Sequence, residues 1–599
     1  MRSIVAVATA ALLMPATEAF AGDPVMPLGD VRSGMQCTGY SVVRGTDIAS
    51  FGVEVIDVVD DRASGSGPRI LVKVSGPAVD ETGIGPGFSG SPIYCPDPQG
   101  TPRSIGAISE AIGEYGGKVV LATPIEAILG NSVDAPRAKP APATLARARP
   151  LAAPLTVTGL GTRLGNALQR AAAKRGRLVL AAPAGPLGSF PPQQLRPGAA
   201  FGVGYASGDI AASAIGTVTY ADGDRVWGFG HPLDGVGARA LLLQDAYVYR
   251  VIDNPIAIAE LPGTGTYKYA AAGHDVGTLT NDALDAVVGR VGALPATVPV
   301  RVVATDLDTG AERTVATNVA DESDVDQPTG GSILTFLAPL AAIQAAGTVL
   351  GGSPARLTGR ACFAIALREL REPVRFCNRY VSDVPDPGAG NVVASTAGGD
   401  LLAALALVDS FKAGKVHVRS VDVAVEIARG QGQAFLRRVR LPRRARAGQS
   451  VRATLVLRHV RGGLERRHVS LRLPPDLPRG KRRVVFTGVD VDSPGGGLFE
   501  LFELGFETGP PVGELGPPGI RELAFQIAGL ARFDGISARR PRADPDEFDP
   551  GVPSYRDPQL RISGRARATI RISPRGKRAR RGDRPARADR RAVRPRRPV

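Results

Sequence analysis

The 599-residue chain is strongly basic, with a formal net charge of +16 at pH 7, and it has only four cysteines. The charge is concentrated near the C-terminus, where residues 575–597 hold twelve basic and two acidic side chains, which leaves +6 for the rest. This tail is poor in apolar residues and has no interleaved aromatic side chains, so it predicts disorder and excludes a surface that reads nucleic-acid bases. Four cysteines without a CxxC pair argue against a zinc or thiol-redox centre, and no metal or cofactor is expected.

The first 21 residues have the layout of a secretory signal. One early arginine precedes an apolar core, and an Ala-Phe-Ala triplet at 19–21 marks a cleavage site before Gly22. We therefore expect a secreted or periplasmic chain that can associate with the cell envelope.

Export favours disulfides, and four cysteines allow three pairings. The favoured pairs are Cys37 with Cys95 and Cys362 with Cys377. The first would tie the first strand of the N-terminal domain to a later one, and the second would close a hairpin.

Residues 22–134 predict one half of a β-barrel. Six short β-rich runs lie at 38–43, 51–59, 70–74, 91–94, 104–108 and 119–121, bounded by Gly, Pro and Asp. A short helix should follow, with Thr123 as its cap, Pro124 at its first position and Glu126 completing a capping box.

The heptapeptide GFSGSPI at 87–93 is the most informative motif in this region. It places Ser89 after a glycine turn and directly before a strand, which is the layout of a serine peptidase nucleophile. The backbone can aim the amides of Gly87 and Ser89 at one point and so form an oxyanion site. A plain tight turn would produce the same pattern, so a base is needed to support chemistry at Ser89.

Residues 135–154 form a Pro- and Ala-rich linker, and residues 155–325 again contain strand-like runs that predict the second barrel half. In this half, the segment GFGHPLDGVG at 228–237 is a glycine-bracketed loop that follows a hairpin signal. His231 in this loop is the first candidate for a general base, and His274 in AAGHDVG is the second. The other histidines lie in alternating basic segments and are expected on the surface.

Residues 326–415 predict a helical and hairpin connecting region. Its apolar stretch at 332–350 is near the lower length for a membrane span, but Pro339 interrupts it and no basic cluster flanks it, so a buried helix is favoured. A second apolar helix is expected at 401–414.

From residue 416 to residue 573, long segments alternate between apolar and polar residues and predict an immunoglobulin-like β-sandwich, with a helix at 519–530. The disordered basic tail at 574–599 could bind an anionic envelope polymer or a membrane surface, or could only keep the chain soluble.

The motifs GFSGSPIY and GFGHPLDGVG together resemble those of the stage IV sporulation protein B type of serine peptidase, and the likeness covers about half the chain, roughly residues 35–303. The resemblance implies Ser89 as nucleophile and His231 as general base on a chymotrypsin-like double β-barrel. The order of the two motifs is permuted relative to that family. Ser75 occupies the position of the family's acid, so the third member is unassigned, with Asp234 and Asp80 as candidates.

The function expected from these residues is that of an exported serine endopeptidase acting on a protein or peptide by acyl-enzyme chemistry, in autoproteolysis or on a regulatory substrate. Two alternatives stay open. The chain could be a noncatalytic envelope protein that keeps the peptidase fold for binding, which the missing acid favours, or an esterase that uses the same two residues.

Overall fold

The structure of the chain is a computed structural model. It describes residues 22–60, 67–112, 117–133, 139–140, 149–151, 154–174, 178–183, 190–253, 265–325, 332–352, 354–383, 392–488, 518–530, 535–539, 552–557 and 559–573. The predicted signal segment, most of the linker and the basic tail lie outside these residues. The chain divides into two compact units, residues 1–431 with 494–532 and residues 432–493 with 533–599. As the sequence predicted, the described residues are mainly β.

The N-terminal strands of the first unit form a closed ring of six. They are β1 (Gln36–Arg44), β2 (Asp47–Asp60), β3 (Pro68–Ser75), β4 (Pro92–Pro96), β5 (Pro102–Ala111) and β6 (Val119–Pro124). Pairing runs β1–β4–β5–β6–β3–β2 and returns to β1, and the short strands β7 (Lys139–Pro140) and β8 (Arg149–Pro150) join β2 and β5. Alternate residues such as Val53 and Val55 fill the core of the ring, because successive side chains of a strand point to opposite faces. The disulfide Cys37–Cys95 joins β1 to β4 and confirms the predicted pair.

A 3₁₀ turn (Leu28–Asp30) and helix α1 (Ile125–Ile128) flank this ring. The predicted helix therefore exists, but its predicted cap is wrong, since no side chain caps it. The Thr123 hydroxyl instead donates to the Gly230 carbonyl at 2.7 Å, and the Glu126 carboxylate accepts the Leu28 amide. Tertiary partners thus replace the local capping contacts.

The following part of the first unit contains a second ring. Its elements are β9 (Leu155–Thr158), α2 (Thr162–Ala173), β10 (Val179–Ala182), β11 (Ala200–Gly208), β12 (Ala211–Asp222), β13 (Arg225–Gly228), β14 (Gly237–Ile252), β15 (Tyr267–Asp282), β16 (Val287–Val291), β17 (Thr297–Asp306) and β18 (Glu312–Ala320). Pairing runs β12–β13–β16–β15–β14–β11 and returns to β12. Strands β9 and β10 extend this sheet beside β12, and β18 and β17 extend it beside β11.

The sheet continues through β21 (Val418–Arg429), β19 (Leu357–Leu367) and β20 (Val374–Ser382). Strand β21 begins the region predicted as the sandwich, but it pairs with β17 and β19 and belongs to the first unit. The disulfide Cys362–Cys377 links directly paired residues of β19 and β20, as predicted.

Two apolar helices, α3 (Ile333–Leu350) and α4 (Val392–Asp409), pack on each other and on this sheet. Both are long and apolar enough to cross a membrane by length and composition, yet 72% of α3 and 61% of the α4 window are buried inside the protein. Helix α5 (Ile520–Ala528) lies against β20 and α4, which assigns the predicted helix at 519–530 to the first unit.

The second unit consists of two sheets around one core. The first sheet has the order β25–β24–β22–β29 and the second has the order β23–β30–β26–β27–β28. The strands are β22 (Gln433–Arg440), β23 (Arg444–Arg446), β24 (Ser450–His459), β25 (Leu464–Arg472), β26 (Gly480–Thr487), β27 (Gly535–Arg539), β28 (Val552–Arg556), β29 (Arg561–Ser563) and β30 (Arg565–Ser573). Leu455 of the first sheet and Ile570 of the second belong to the same buried cluster, so the inner faces of the two sheets pack together.

Candidate active site

The loop that carries Ser89 lies between β3 and β4 of the first ring. Gly87 and Gly90 have φ angles of +95° and +89°, a region that favours glycine. A side chain at Gly90 is excluded, because its Cβ would lie 2.0 Å from the Thr217 carbonyl oxygen and 2.6 Å from the Phe229 amide nitrogen. The Ser89 side chain is fully buried in this state.

The amides of this loop fall into two groups, those that donate to a backbone carbonyl and those that do not. Three amides donate to backbone carbonyls, namely Phe88 to Gly85 (3.0 Å), Gly90 to Ile108 (2.8 Å) and Ser91 to Phe88 (2.9 Å). The amides of Gly87 and Ser89 donate to none of the backbone carbonyls that the structure describes. These are the two amides predicted from the sequence as the oxyanion site.

Three of the donors that bond to this loop's carbonyls orient the peptides around Phe88. They are the Lys268 amide on the Pro86 oxygen (2.9 Å), the Thr217 hydroxyl on the Gly87 oxygen (3.1 Å) and the Ser91 hydroxyl on the Phe88 oxygen (2.6 Å). In a trans peptide the N–H points opposite to the C=O. Because the Pro86 and Phe88 carbonyls point into the protein, the amides of Gly87 and Ser89 in the same peptides point away from these contacts. The loop therefore holds both amides without a hydrogen-bond partner among the described residues.

A buried lysine supports this arrangement. The Lys268 ammonium donates to the hydroxyls of Ser41 (2.7 Å) and Thr217 (3.0 Å), and it lies 4.5 Å from the centre of the Phe88 ring. The hydroxyl oxygens of Ser41 and Ser91 lie 2.9 Å apart and close the network. Burial lowers the pKa of Lys268 to about 7.

His231 follows Phe229 and Gly230 in the loop after β13. Its side chain is 4% exposed, and its ring stacks on Phe229 with centroids 5.6 Å apart. Nδ1 lies 2.7 Å from the Pro232 carbonyl oxygen. Since a carbonyl only accepts, Nδ1 carries the proton and Nε2 is the basic nitrogen of the neutral ring.

Burial lowers the pKa of His231 and is its largest influence. Hydrogen bonding to the backbone at Pro232 and Leu151 raises the pKa by less, so the net shift is downward. The imidazole is therefore neutral at pH 7, as a general base must be. Phe229, which supports it, has φ = 67°, and among described residues only one other non-glycine residue has a positive φ. Such a backbone conformation stores about 1–3 kcal/mol of strain and is concentrated at functional sites.

The loop after His231 is held by an aspartate that sequence reasoning missed. The buried Asp282 carboxylate accepts the amides of Leu233 (2.7 Å), Asp234 (2.7 Å) and Gly235 (2.8 Å). Asp282 ends the segment VGTLTND at 276–282, which the family resemblance includes, but an aspartate at a strand end gives no sign of its distant partner.

The two motifs meet at the backbone of β5. The Ile108 carbonyl accepts the Gly90 amide, and a Cβ on Gly230 would lie 3.4 Å from the same oxygen. Ser89 and His231 are the chain neighbours of these two glycines. Ser89 Oγ and His231 Nε2 are both buried, and neither has a hydrogen-bond partner in the described part of the chain, so the two do not bond to each other in this state.

Neither predicted acid contacts the imidazole. Asp234 is about half exposed and pairs with Arg239 at 3.0 Å, and Asp80 lies exposed in a turn after β3. In a catalytic triad, a carboxylate accepts the Nδ1 proton of the histidine. Here the Pro232 carbonyl accepts that proton instead. Neither Asp234 nor Asp80 bonds to His231 in this state, and their assignment as the third member stays a prediction.

The second candidate base, His274, does have a carboxylate partner. Its Nδ1 lies 3.0 Å from Asp245 Oδ2, and Asp245 is fully buried. His274 stacks edge-on with Phe190. No contact in the described chain joins it to the Ser89 loop.

Across the described residues, no group of three His, Cys, Asp or Glu side chains is placed to bind a metal ion. No protein-family model matches the chain, and neither a curated protein nor a solved structure shows significant similarity to it. The two disulfides are typical of an oxidising compartment and are weakly consistent with an extracellular or periplasmic location.

Proposed function

We propose that the chain is an exported serine endopeptidase in which Ser89 is the nucleophile and His231 is the general base. The observation that carries the proposal is the pair of unpartnered buried atoms, Ser89 Oγ and His231 Nε2, on adjoining loops. Buried polar atoms without hydrogen bonds are uncommon in folded proteins and call for an explanation. A donor and an acceptor that bond to each other once a substrate has entered the site provide one.

Three further features support the same chemistry. The amides of Gly87 and Ser89 are free of backbone partners in the described chain, as oxyanion donors must be. The His231 ring is neutral, and its basic nitrogen has no hydrogen-bond partner among the described residues. The strained backbone at Phe229 positions this ring.

The proposed reaction is acyl transfer. Ser89 Oγ bonds to the scissile carbonyl carbon while its proton passes to His231 Nε2, and the Gly87 and Ser89 amides stabilise the carbonyl oxygen as it becomes negative. The C–N bond then breaks, and the proton on Nε2 passes to the leaving amine. Water repeats the sequence and releases the acid. Because Ser89 is fully buried, the substrate must open the loop before the first step.

The fold supports this proposal at a coarser level. Each of the two six-stranded rings carries one motif, an arrangement similar to a chymotrypsin-like double barrel with the serine motif first. We also propose that the second unit is an immunoglobulin-like sandwich and that residues 1–21 are a signal peptide that directs export.

The alternative function is a noncatalytic envelope protein that keeps this scaffold for binding. Two observations favour it: Ser89 and His231 do not hydrogen-bond, and no carboxylate contacts His231 among the described residues. A binding scaffold needs neither contact.

Labelling with a fluorophosphonate separates the two functions. We expect the mature protein to be labelled, and Ser89→Ala and His231→Ala to abolish the label. The matched control is Ser104→Ala, because Ser104 is equally buried and its hydroxyl also has no partner in the described chain. It should leave labelling unchanged.

His274→Ala is the corresponding control for the base and should be labelled like the unmodified protein. Label that persists in Ser89→Ala would refute the assignment of the nucleophile. An intact, folded protein that takes no label would favour the scaffold function.

A further inference from the structure

The outer face of the first sheet of the second unit is densely cationic. Period-two alternation turns Val451 and Leu455 of β24 into the core and turns their neighbours outward. Seven exposed arginines of β22, β24 and β25 form what we call the arginine face: Arg437, Arg438, Arg440, Arg452, Arg458, Arg466 and Arg472.

Within the described residues, these seven charges have no counter-ions. None of them makes an ion pair or a side-chain hydrogen bond with any residue that the structure describes. Glu465, an acidic residue of β25, is already bound by His459 and Arg467, each at 2.8 Å. Like charges on one face repel each other, so an anionic partner would stabilise the arrangement.

Apolar side chains are interspersed with the arginines. Phe435 and Leu464 are 40% and 64% exposed. The strand register places Arg458 directly between them, so the three form one row across β22, β24 and β25. The next row is Arg438, Val456 and Arg466. Together these residues line an open groove of about 1040 Å³.

This mixture identifies the chemistry of the partner. Guanidinium groups bind phosphate oxygens in a bidentate manner. Exposed Phe and Leu side chains among basic residues bury their apolar surface at the boundary between headgroups and acyl chains. A soluble polyanion would satisfy the arginines but would leave Phe435 and Leu464 in water.

We propose that the arginine face docks the second unit onto the anionic phospholipid surface of a membrane, with Phe435 and Leu464 inserted at the interface. This proposal does not depend on whether Ser89 is catalytic. It concerns a folded sheet and is separate from any binding by the basic tail.

The first test is sedimentation of the full mature chain with phosphatidylcholine vesicles that contain 30% phosphatidylglycerol or none. We expect binding only to the anionic vesicles. The triple variant Arg438→Gln, Arg458→Gln, Arg466→Gln should partition roughly 100-fold more weakly, since each basic residue near the surface contributes about a factor of five. The matched control, Arg313→Gln, Arg375→Gln, Arg419→Gln, removes the same charge from exposed arginines of the first unit and should bind normally.

The second test locates the inserted residues. Tryptophan is introduced by Phe435→Trp, or by Leu307→Trp as a control at a 58% exposed site of the first unit. Brominated acyl chains in the anionic vesicles should quench the first fluorophore and not the second. The native Trp227 is 8% exposed and gives a common background.

Three outcomes would overturn the proposal. Equal vesicle binding by the two triple variants would assign binding to the tail or to net charge. Binding without quenching at position 435 would exclude insertion. Binding to soluble polyphosphate but not to anionic vesicles would indicate a polymer as the partner.

Discussion

Lys268 gives the sharpest test of the network behind the Ser89 loop. Its ammonium is fully buried, and the contacts described for it are the hydroxyls of Ser41 and Thr217 and the ring of Phe88. No carboxylate contributes to its pKa shift, whose cause is burial alone. The substitution Lys268→Met keeps the length and apolar stem of the side chain but removes the titrating group.

The size of the effect follows from the pKa. Burial lowers the pKa of Lys268 from 10.5 to about 7, and one pKa unit corresponds to about 1.4 kcal/mol. Because the folded-state pKa is the lower one, the energetic cost of the buried ammonium is complete below pH 7 and disappears as the pH rises toward 10.5. Between pH 6 and pH 10, the wild type should therefore gain about 4 kcal/mol of stability relative to Lys268→Met.

Thermal unfolding followed by circular dichroism measures this difference. For a unit of roughly 400 residues, about 4 kcal/mol corresponds to a change of about 5 °C in Tm. The Tm difference between wild type and Lys268→Met should shift by that amount from pH 6 to pH 10, whereas Lys73→Met, on the exposed face of β3, should show no such shift. A Tm difference that is independent of pH would mean that Lys268 keeps an ordinary pKa and that its ammonium is not buried among the hydroxyls of Ser41 and Thr217.

Three other predictions concern the same unit. Asp282→Asn should destabilise the unit by about 3 kcal/mol, because three amides lose a charged acceptor. Asp234→Asn should cost less than about 1 kcal/mol, because the ion pair of Asp234 is half exposed. Equal losses of Tm in the two variants would contradict the role of Asp282. The midpoint of the pH profile of fluorophosphonate labelling should lie below pH 6.5, because burial lowers the pKa of His231. A midpoint above pH 6.5 would refute a neutral buried imidazole. Replacing Cys37 and Cys95 together by serine should lower the stability of the unit by about 4 kcal/mol. This is about 1 kcal/mol more than for loss of the Cys362–Cys377 disulfide, because the two cysteines are 58 residues apart rather than 15. Thermal unfolding of both variants tests this order.

The strands and the disulfides could be predicted because their signals are local. Alternation over five to ten residues reveals which side chains face a core, and all six runs predicted in the first ring are strands. Strand positions then bring Cys37 near Cys95, since Thr38 and Tyr94 are directly paired. Alternation does not reveal which sheet a strand joins, however, and β21 resembles the strands of the second unit while pairing in the first.

Thr123 shows why a correct local pattern can still give the wrong contact. A threonine three residues before a glutamate fits a capping box, but its hydroxyl is fully buried beside the His231 loop and bonds to Gly230 and Ser109. A buried hydroxyl takes whichever partner satisfies it, and distant loops do not appear in a sequence window. Lys268 offered a weak signal of its own. In the alternating segment YKYA it lies on the same face as Ala270, which is also buried.

The partner of the His231 ring could not be predicted from the sequence for a related reason, and that partner bears on the activity expected of the proposed peptidase. Sequence reasoning looked for an acid near either motif, whereas the structure satisfies His231 Nδ1 with the neighbouring Pro232 carbonyl and uses Asp282 to hold the loop. The carbonyl fixes the productive tautomer, which is one of the two roles of a triad carboxylate. It supplies no negative charge to stabilise the imidazolium, which is the other. Loss of both roles in a serine peptidase lowers kcat by about 10⁴-fold, so an enzyme that keeps only the first should acylate detectably but turn over slowly. In the proposed peptidase, such slow turnover would suit cleavage of a single bond or a regulatory substrate better than digestion.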